Sequence, residues 1–162
     1  AQIHSLDRLN DVALLKVDAP TPDYLNLADA GAVRLGEPVF TVGFPAVDVL
    51  GDQPKYSEGS VGALVGLEDS PPSLQLSIPV QPGSSGGPVV NDHGEVVGII
   101  ESVADAEFFR GNGGLVPQPL SWAVEPGAVM IGLPEVEALA PTESRAEAVQ
   151  RVLGAVCLVE AR

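Results

Sequence analysis

Apolar residues in this chain fall in short runs closed by glycine, proline or acids, the spacing of brief strands joined by tight turns. Residues 11–18 form the run Asp11-Val12-Ala13-Leu14-Leu15-Lys16-Val17-Asp18, followed by Ala19-Pro20-Thr21-Pro22, which predicts a buried strand leading into an extended linker. Gly36-Glu37-Pro38 then marks a turn, and the β-branched and aromatic run Val39-Phe40-Thr41-Val42 a second strand, stopped by Pro45. Residues 46–58 are polar and read as a long loop, ahead of the alternating stretch Gly59 to Val65. Leu74-Gln75-Leu76-Ser77-Ile78 alternates again. Pro88-Val89-Val90, the turn Asn91-Asp92-His93-Gly94 and the run Glu95 to Ile100 spell a hairpin. A loop bearing Gly111, Gly113 and Gly114 leads to one more short strand, Leu120 to Val124.

The tail differs. Ser144-Arg145-Ala146-Glu147 matches a capping box, and Val149, Val152, Leu153 and Val156 recur at helical spacing, so a helix of about three turns is expected there. Residues 155–160 then read as a strand. No internal repeat of fixed period occurs.

Composition supports an all-β domain. With 162 residues and 45% apolar content the chain can bury a core, while 18 glycines, 15 prolines and 4% aromatics favour strands and turns over long helices. A net charge of −14 has the wrong sign for neutralising phosphates or docking on anionic lipid, so neither nucleic acid nor membrane is an expected partner. The sequence holds no uninterrupted apolar stretch of transmembrane length. The single cysteine, Cys157, lies between Val156 and Leu158 and reads as a small core residue. Asp48, Asp52 and Glu58 fit no calcium-ligand spacing and read as solvated loop acids, and no metal or cofactor is expected.

The candidate chemistry sits between the alternating strand and the hairpin. Gly83-Ser84-Ser85-Gly86-Gly87 satisfies a G-x-S-x-G pattern, in which glycines let the backbone turn sharply, present a serine hydroxyl and leave adjacent N–H groups free to hold an oxyanion. Alone, such a cluster is also ordinary turn composition. Context narrows it, because an α/β-hydrolase elbow needs a helix directly after the serine, and here Pro88 and a β-hairpin follow.

Four motifs in order resemble the trypsin-like serine peptidases, in particular bacterial ones of the HtrA type: Asn10-Asp11-Val12-Ala13-Leu14-Leu15-Lys16-Val17; Gly36-Glu37-Pro38-Val39 with Val42-Gly43-Phe44-Pro45; Gln81-Pro82-Gly83-Ser84-Ser85-Gly86-Gly87-Pro88; and Gly94-Glu95-Val96-Val97-Gly98-Ile99. The resemblance covers residues 10–125. The family usually has asparagine before the nucleophile, where this chain has Ser84.

The resemblance implies a trypsin-like antiparallel β-barrel. Residues 1–18 would be the last strand of a first barrel and residues 19–136 the complete second barrel. Residues 137–162, a helix and strand, would stand apart as the start of something further. It also implies Ser85 as nucleophile, Asp11 as the carboxylate that orients a histidine, and the N–H groups of Gly83 and Ser85 as the oxyanion hole. Ser121, Trp122 and Ala123 would line the substrate cleft, as the family's Ser-Trp-Gly segment does. Pro79 and Val80 would wall the primary pocket, whose lack of an acid suggests small or medium apolar residues at the cleaved position. Asp11 read without the resemblance is a capping or surface acid.

Neither histidine fits the triad. His4 stands seven residues before Asp11, about 23 Å along an extended chain, and His93 belongs to a turn. The expected function is therefore a serine endopeptidase acting on protein or peptide, with its histidine outside these residues. The alternative is a non-catalytic relative that uses the cleft or its strand edges to bind peptides.

Overall fold

A computed structural model describes residues 1–29, 31–66, 73–103, 120–129, 133 and 136–159. Its first element is a hairpin. β1 (Gln2–Asp7) pairs antiparallel with β2 (Val12–Lys16), and the turn between them is capped by Asp7, whose carboxylate accepts from the Asn10 side chain at 2.7 Å and from the main-chain N–H of Leu9 and Asn10. Those bonds, the Asn10 side chain first, hold the Asp7 carboxyl below its usual range. β2 was foreseen but β1 was not, because a strand exposed along nearly its whole length carries no alternating apolar signature. β2 is also less buried than its sequence suggests, since among the described residues β1 is its only partner strand.

The remaining strands form one sheet that closes on itself. β3 (Asn26–Leu27), β4 (Pro38–Gly43), β5 (Lys55–Ala63), β6 (Ser73–Leu76), β7 (Pro88–Asn91), β8 (Glu95–Val103) and β9 (Ser121–Val124) run in the order β3-β8-β7-β4-β5-β6-β9, and β8 also pairs with β9. Six strands thus make an antiparallel barrel, with β3 added outside it in parallel to β8. Closure demands close approach. A Cβ on Gly98 would lie 2.9 Å from that of Ala123 on the neighbouring strand, so only glycine lets β8 and β9 meet there. The all-β trypsin-like fold with a C-terminal helix is therefore the observed one.

Alternation along the strands separates two cores. Val39, Val89 and Val97 pack with Val61, Leu74, Leu76, Ile78, Ile100 and Ala123, while their neighbours Phe40, Val42, Val90 and Val96 pack with residues of the C-terminal helix. Both faces of β4, β7 and β8 are buried, which is why their sequences are continuously apolar. The helix, α3 (Arg145–Ala155), starts where the capping box places it: Ser144 Oγ accepts from Glu147 N at 3.2 Å. The return bond is shifted one residue, with Glu147 Oε2 accepting from Glu143 N. Ala148 and Val152 are its buried positions, whereas Leu153 faces solvent.

Arg145 ties α3 to the barrel. Its guanidinium meets Asp92 at 2.6 Å and Glu58 at 2.8 Å and lies 5.7 Å from the centre of the buried Phe40 ring, which itself stacks on Tyr56. Glu58 is thus an ion-pair partner on β5 and not a loop acid. The stretch 46–58 holds one helical turn, α1 (Val47–Leu50), and the first residues of β5, because Lys55 to Glu58 complete the ladder opposite β4. A second turn, α2 (Pro126–Val129), follows β9. The strand expected over residues 155–160 does not form among the described residues: Ala155 is the last residue of α3, Val156 turns to an extended backbone as its C-cap, and residues 156–159 join no sheet. The loop with Gly111, Gly113 and Gly114 lies outside the described residues. No helix among the described residues is long and apolar enough to cross a membrane.

Candidate active site

Residues 81–87 form a tight double turn anchored on two sides. Ser84 N donates to Gln81 O at 3.0 Å and Gly87 N to Ser84 O at 3.0 Å. Gly86 N donates to Ile100 O at 2.8 Å and Ile100 N returns a bond to Gly87 O at 2.9 Å, fastening the loop to β8. From the other side Ala46 N donates to Pro82 O. Gly83 cannot be another residue here without strain: its φ is +92°, and a Cβ would come within 3.2 Å of Ala46 N.

This wiring uses some amides and spares others. Among the described residues, the N–H groups of Gly83 and Ser85 make no hydrogen bond, while those of Ser84, Gly86 and Gly87 are all engaged. The Ser85 side chain is exposed and its Oγ donates to the main-chain oxygen of Glu101 at 3.1 Å. Ser84 points the other way: it is buried, and its Oγ accepts from Gln81 N at 3.3 Å, so the residue in the usual asparagine position serves the turn.

Ser85 opens on a cleft of about 770 Å³ that Asp11 also lines. Asp11 is exposed, at the end of the β1–β2 turn, with φ +52°, a left-handed conformation that aspartate tolerates better than most residues. Among the described residues, the charged ones on the cleft wall are Asp11, Asp23 and Glu101, all acidic. Much of the rest is apolar, including Leu15, Leu25, Phe44 and Ile99.

Several expected site residues sit elsewhere. Ser121, Trp122 and Ala123 belong to β9, walled between β6 and β8, and are buried and absent from the cleft lining. The Ser121 hydroxyl donates to Ile78 O at 3.1 Å, a bond internal to the barrel. The strand that passes Ser85 is the end of β8, with Glu101, and the order of short apolar strands alone could not say which of two neighbouring strands that would be. Val80 is a core residue and Pro79 is exposed, and neither lines the cleft, so the cleavage preference drawn from them loses its basis.

The histidines are off the cleft as well. His4 lies on β1, folded back against β2 instead of trailing away from Asp11 along one strand, and is exposed. His93 sits in the β7–β8 turn, where its carbonyl accepts from Thr142 N. Cys157, expected in the core, is exposed and lines the cleft together with its neighbours Val156 and Leu158. Nothing in the sequence shows that this segment returns to the nucleophile loop, because its route depends on how α3 docks.

Comparison with known proteins agrees with this geometry. The family model of the trypsin-like peptidase domain matches residues 1–99. The uncharacterized protein y4bJ of Sinorhizobium fredii is 38% identical over 124 residues, which span 76% of this chain and 19% of that protein. Probable periplasmic serine endoproteases, DegP-like, of Pseudomonas putida and Hahella chejuensis are 33% and 32% identical, over 76% and 72% of this chain and 24% of theirs. The chain therefore spans about a fifth to a quarter of the length of these relatives. Strand order and family match together place the chain in the trypsin-like peptidase domain family.

Proposed function

We propose that this chain carries the nucleophile and acidic member of a serine endopeptidase triad. Ser85 Oγ attacks the carbonyl carbon of the scissile peptide bond, and the negative charge that forms on the carbonyl oxygen is received by the N–H groups of Gly83 and Ser85. A histidine contributed by residues outside these 162 takes the serine proton and passes it to the leaving amine. Water then releases the acyl group by the same route in reverse. Asp11 holds that histidine in the required tautomer and orientation.

The observation that supports this reading best is the selective wiring of the loop: two amides beside an exposed serine are left unbonded among the described residues, while the three others in the same turn are engaged. The test is labelling with a fluorophosphonate probe, comparing this chain with one extended upstream and using Ser85→Ala in each. Labelling of the extended form at Ser85 alone supports the reading, and a folded extended form that stays unlabelled overturns it.

A second reading, a peptide-binding relative without catalysis, is favoured by one observation: neither His4 nor His93 lines the cleft that holds Ser85 and Asp11. In that reading the extended form binds peptides without turning them over.

A further inference from the structure

The strand end that meets Ser85 is irregular. β8 pairs with β9 at Ile99–Val124 and Ile100–Ala123 and then at Ser102–Trp122, which leaves Glu101 as an extra residue on β8. Such a bulge bends its strand and turns the groups of the extra residue away from the regular ladder. Both polar ends of Glu101 are bonded elsewhere. Its main-chain oxygen accepts from Ser85 Oγ at 3.1 Å, and its carboxylate accepts from Ser73 Oγ at 3.3 Å. Ser73 opens β6, which lies on the other side of β9 from β8 and pairs there with Val124.

The half-buried Glu101 side chain therefore reaches across β9 and links three segments: β6, the bulge of β8 and the glycine-rich loop. The residue before it, Ile100, already fastens that loop through Gly86 N and Gly87 O. The bulge is thus the last point at which β8 meets the loop, and Ser73 braces it from behind. We infer that Glu101 is a positioning residue for Ser85: the bulge presents its carbonyl to the Ser85 hydroxyl, and the bond from Ser73 to its carboxylate keeps the bulge in place. The inference deepens the reading of Ser85 as a nucleophile and rests on it. Glu101 acts through placement, since a hydroxyl held in one orientation meets a scissile carbonyl at a fixed distance, and a small displacement slows attack steeply. The carboxylate serves as an acceptor for Ser73, so a neutral amide oxygen in its place does the same work.

The experiment compares fluorophosphonate labelling rates of the upstream-extended form with those of its Glu101→Ala, Glu101→Gln, Ser73→Ala and doubly substituted Ser73→Ala, Glu101→Ala variants, each checked for folding by a thermal melt. Glu101→Ala and Ser73→Ala are each expected to slow labelling about threefold to tenfold. Glu101→Gln, which keeps an acceptor for Ser73, should recover most of the rate. The double variant should be no slower than the slower single one, because both remove the same bond. Parental labelling by a folded alanine variant, a Glu101→Gln as slow as Glu101→Ala, or effects that multiply in the double variant overturns the inference. Amide hydrogen exchange in this chain reads the brace without any catalysis. The Gly86 and Ile100 amides, bonded across the seam, should exchange at least about threefold faster in both alanine variants, while the Val90 amide on the buried β7 keeps its rate. If the extended parent fails to label, the nucleophile reading falls and exchange alone decides the brace: faster exchange in the alanine variants but not in Glu101→Gln supports it, and unchanged exchange overturns it.

Discussion

The Ser85 hydroxyl is held 3.1 Å from the carbonyl oxygen of Glu101, across the seam where the glycine-rich loop is laced to β8. A hydroxyl donating to a carbonyl has its proton occupied, so in the proposed reaction a base must first redirect that proton. The loop's own geometry decides how well it can then hold an oxyanion.

Gly83→Ala tests that geometry. A side chain at φ +92° costs about 1–2 kcal/mol and pushes on Ala46, so the turn relaxes and its spared amides lose their alignment. In the upstream-extended form, fluorophosphonate labelling should slow about tenfold to a hundredfold. Stopped-time labelling alongside urea unfolding measures both effects, and unchanged labelling would remove Gly83 from the oxyanion site.

Ser121→Ala should behave oppositely. Its hydroxyl bonds within the barrel to Ile78 O, so the variant is expected to lose about 1 kcal/mol of stability while labelling of Ser85 in the extended form keeps the parent rate. A changed rate at unchanged stability would return Ser121 to the substrate cleft.

Arg145→Ala removes two ion pairs and a cation–π contact from the base of α3. The carboxylate partners are about half exposed, which limits the effect of the pairs to the surface range. A loss of about 1–2 kcal/mol, seen as a melting temperature lower by roughly 3–8 °C, is expected. A lysine at the same position should recover part of the stability but not the two-armed geometry.

Glu58 gives the acid limb of stability part of its shape. Hydrogen bonds from Tyr56 and then Arg145 hold its carboxyl below the ordinary 4.5. A group whose pKa is lower in the folded chain adds stability that is fully present above the unfolded value and lost as pH falls through the folded one. Urea midpoints of the parent and Glu58→Gln should therefore differ at neutral pH and converge below about pH 4. A difference that persists in acid would mean that side-chain packing, not ionisation, carries the effect.

The barrel was legible because β5 and β6 alternate, β4, β7 and β8 are short continuous apolar runs, and the turns carry the residues that turns need, as in Asn91-Asp92-His93-Gly94, where Asn91 Oδ1 accepts from the N–H of His93 and Glu95. The glycine-rich turn at residues 83–87 was legible for the same local reason. β1 and the two-residue β3 were not, since one is almost wholly exposed and the other is too short to show a period. Misplacing Ser121-Trp122-Ala123 and Cys157 had a different cause: which strand borders the loop, and where a tail lands after its helix, are set by tertiary contacts between segments far apart in sequence.

Asn26 shows how such contacts can be made without a strand. Its side-chain amide donates to Leu139 O at 2.8 Å and its Oδ1 accepts from Leu139 N at 3.0 Å, so one side chain imitates the rung of a ladder. Tyr24 adds a bond to Glu137 O and Arg151 one to Ala140 O. The connection from the ring of strands to the helix is thereby stitched by side chains at several points. Single substitutions there can slacken the seam and shift how the helix docks while the ring keeps its shape, so the tie between barrel and helix can loosen apart from the fold of the barrel.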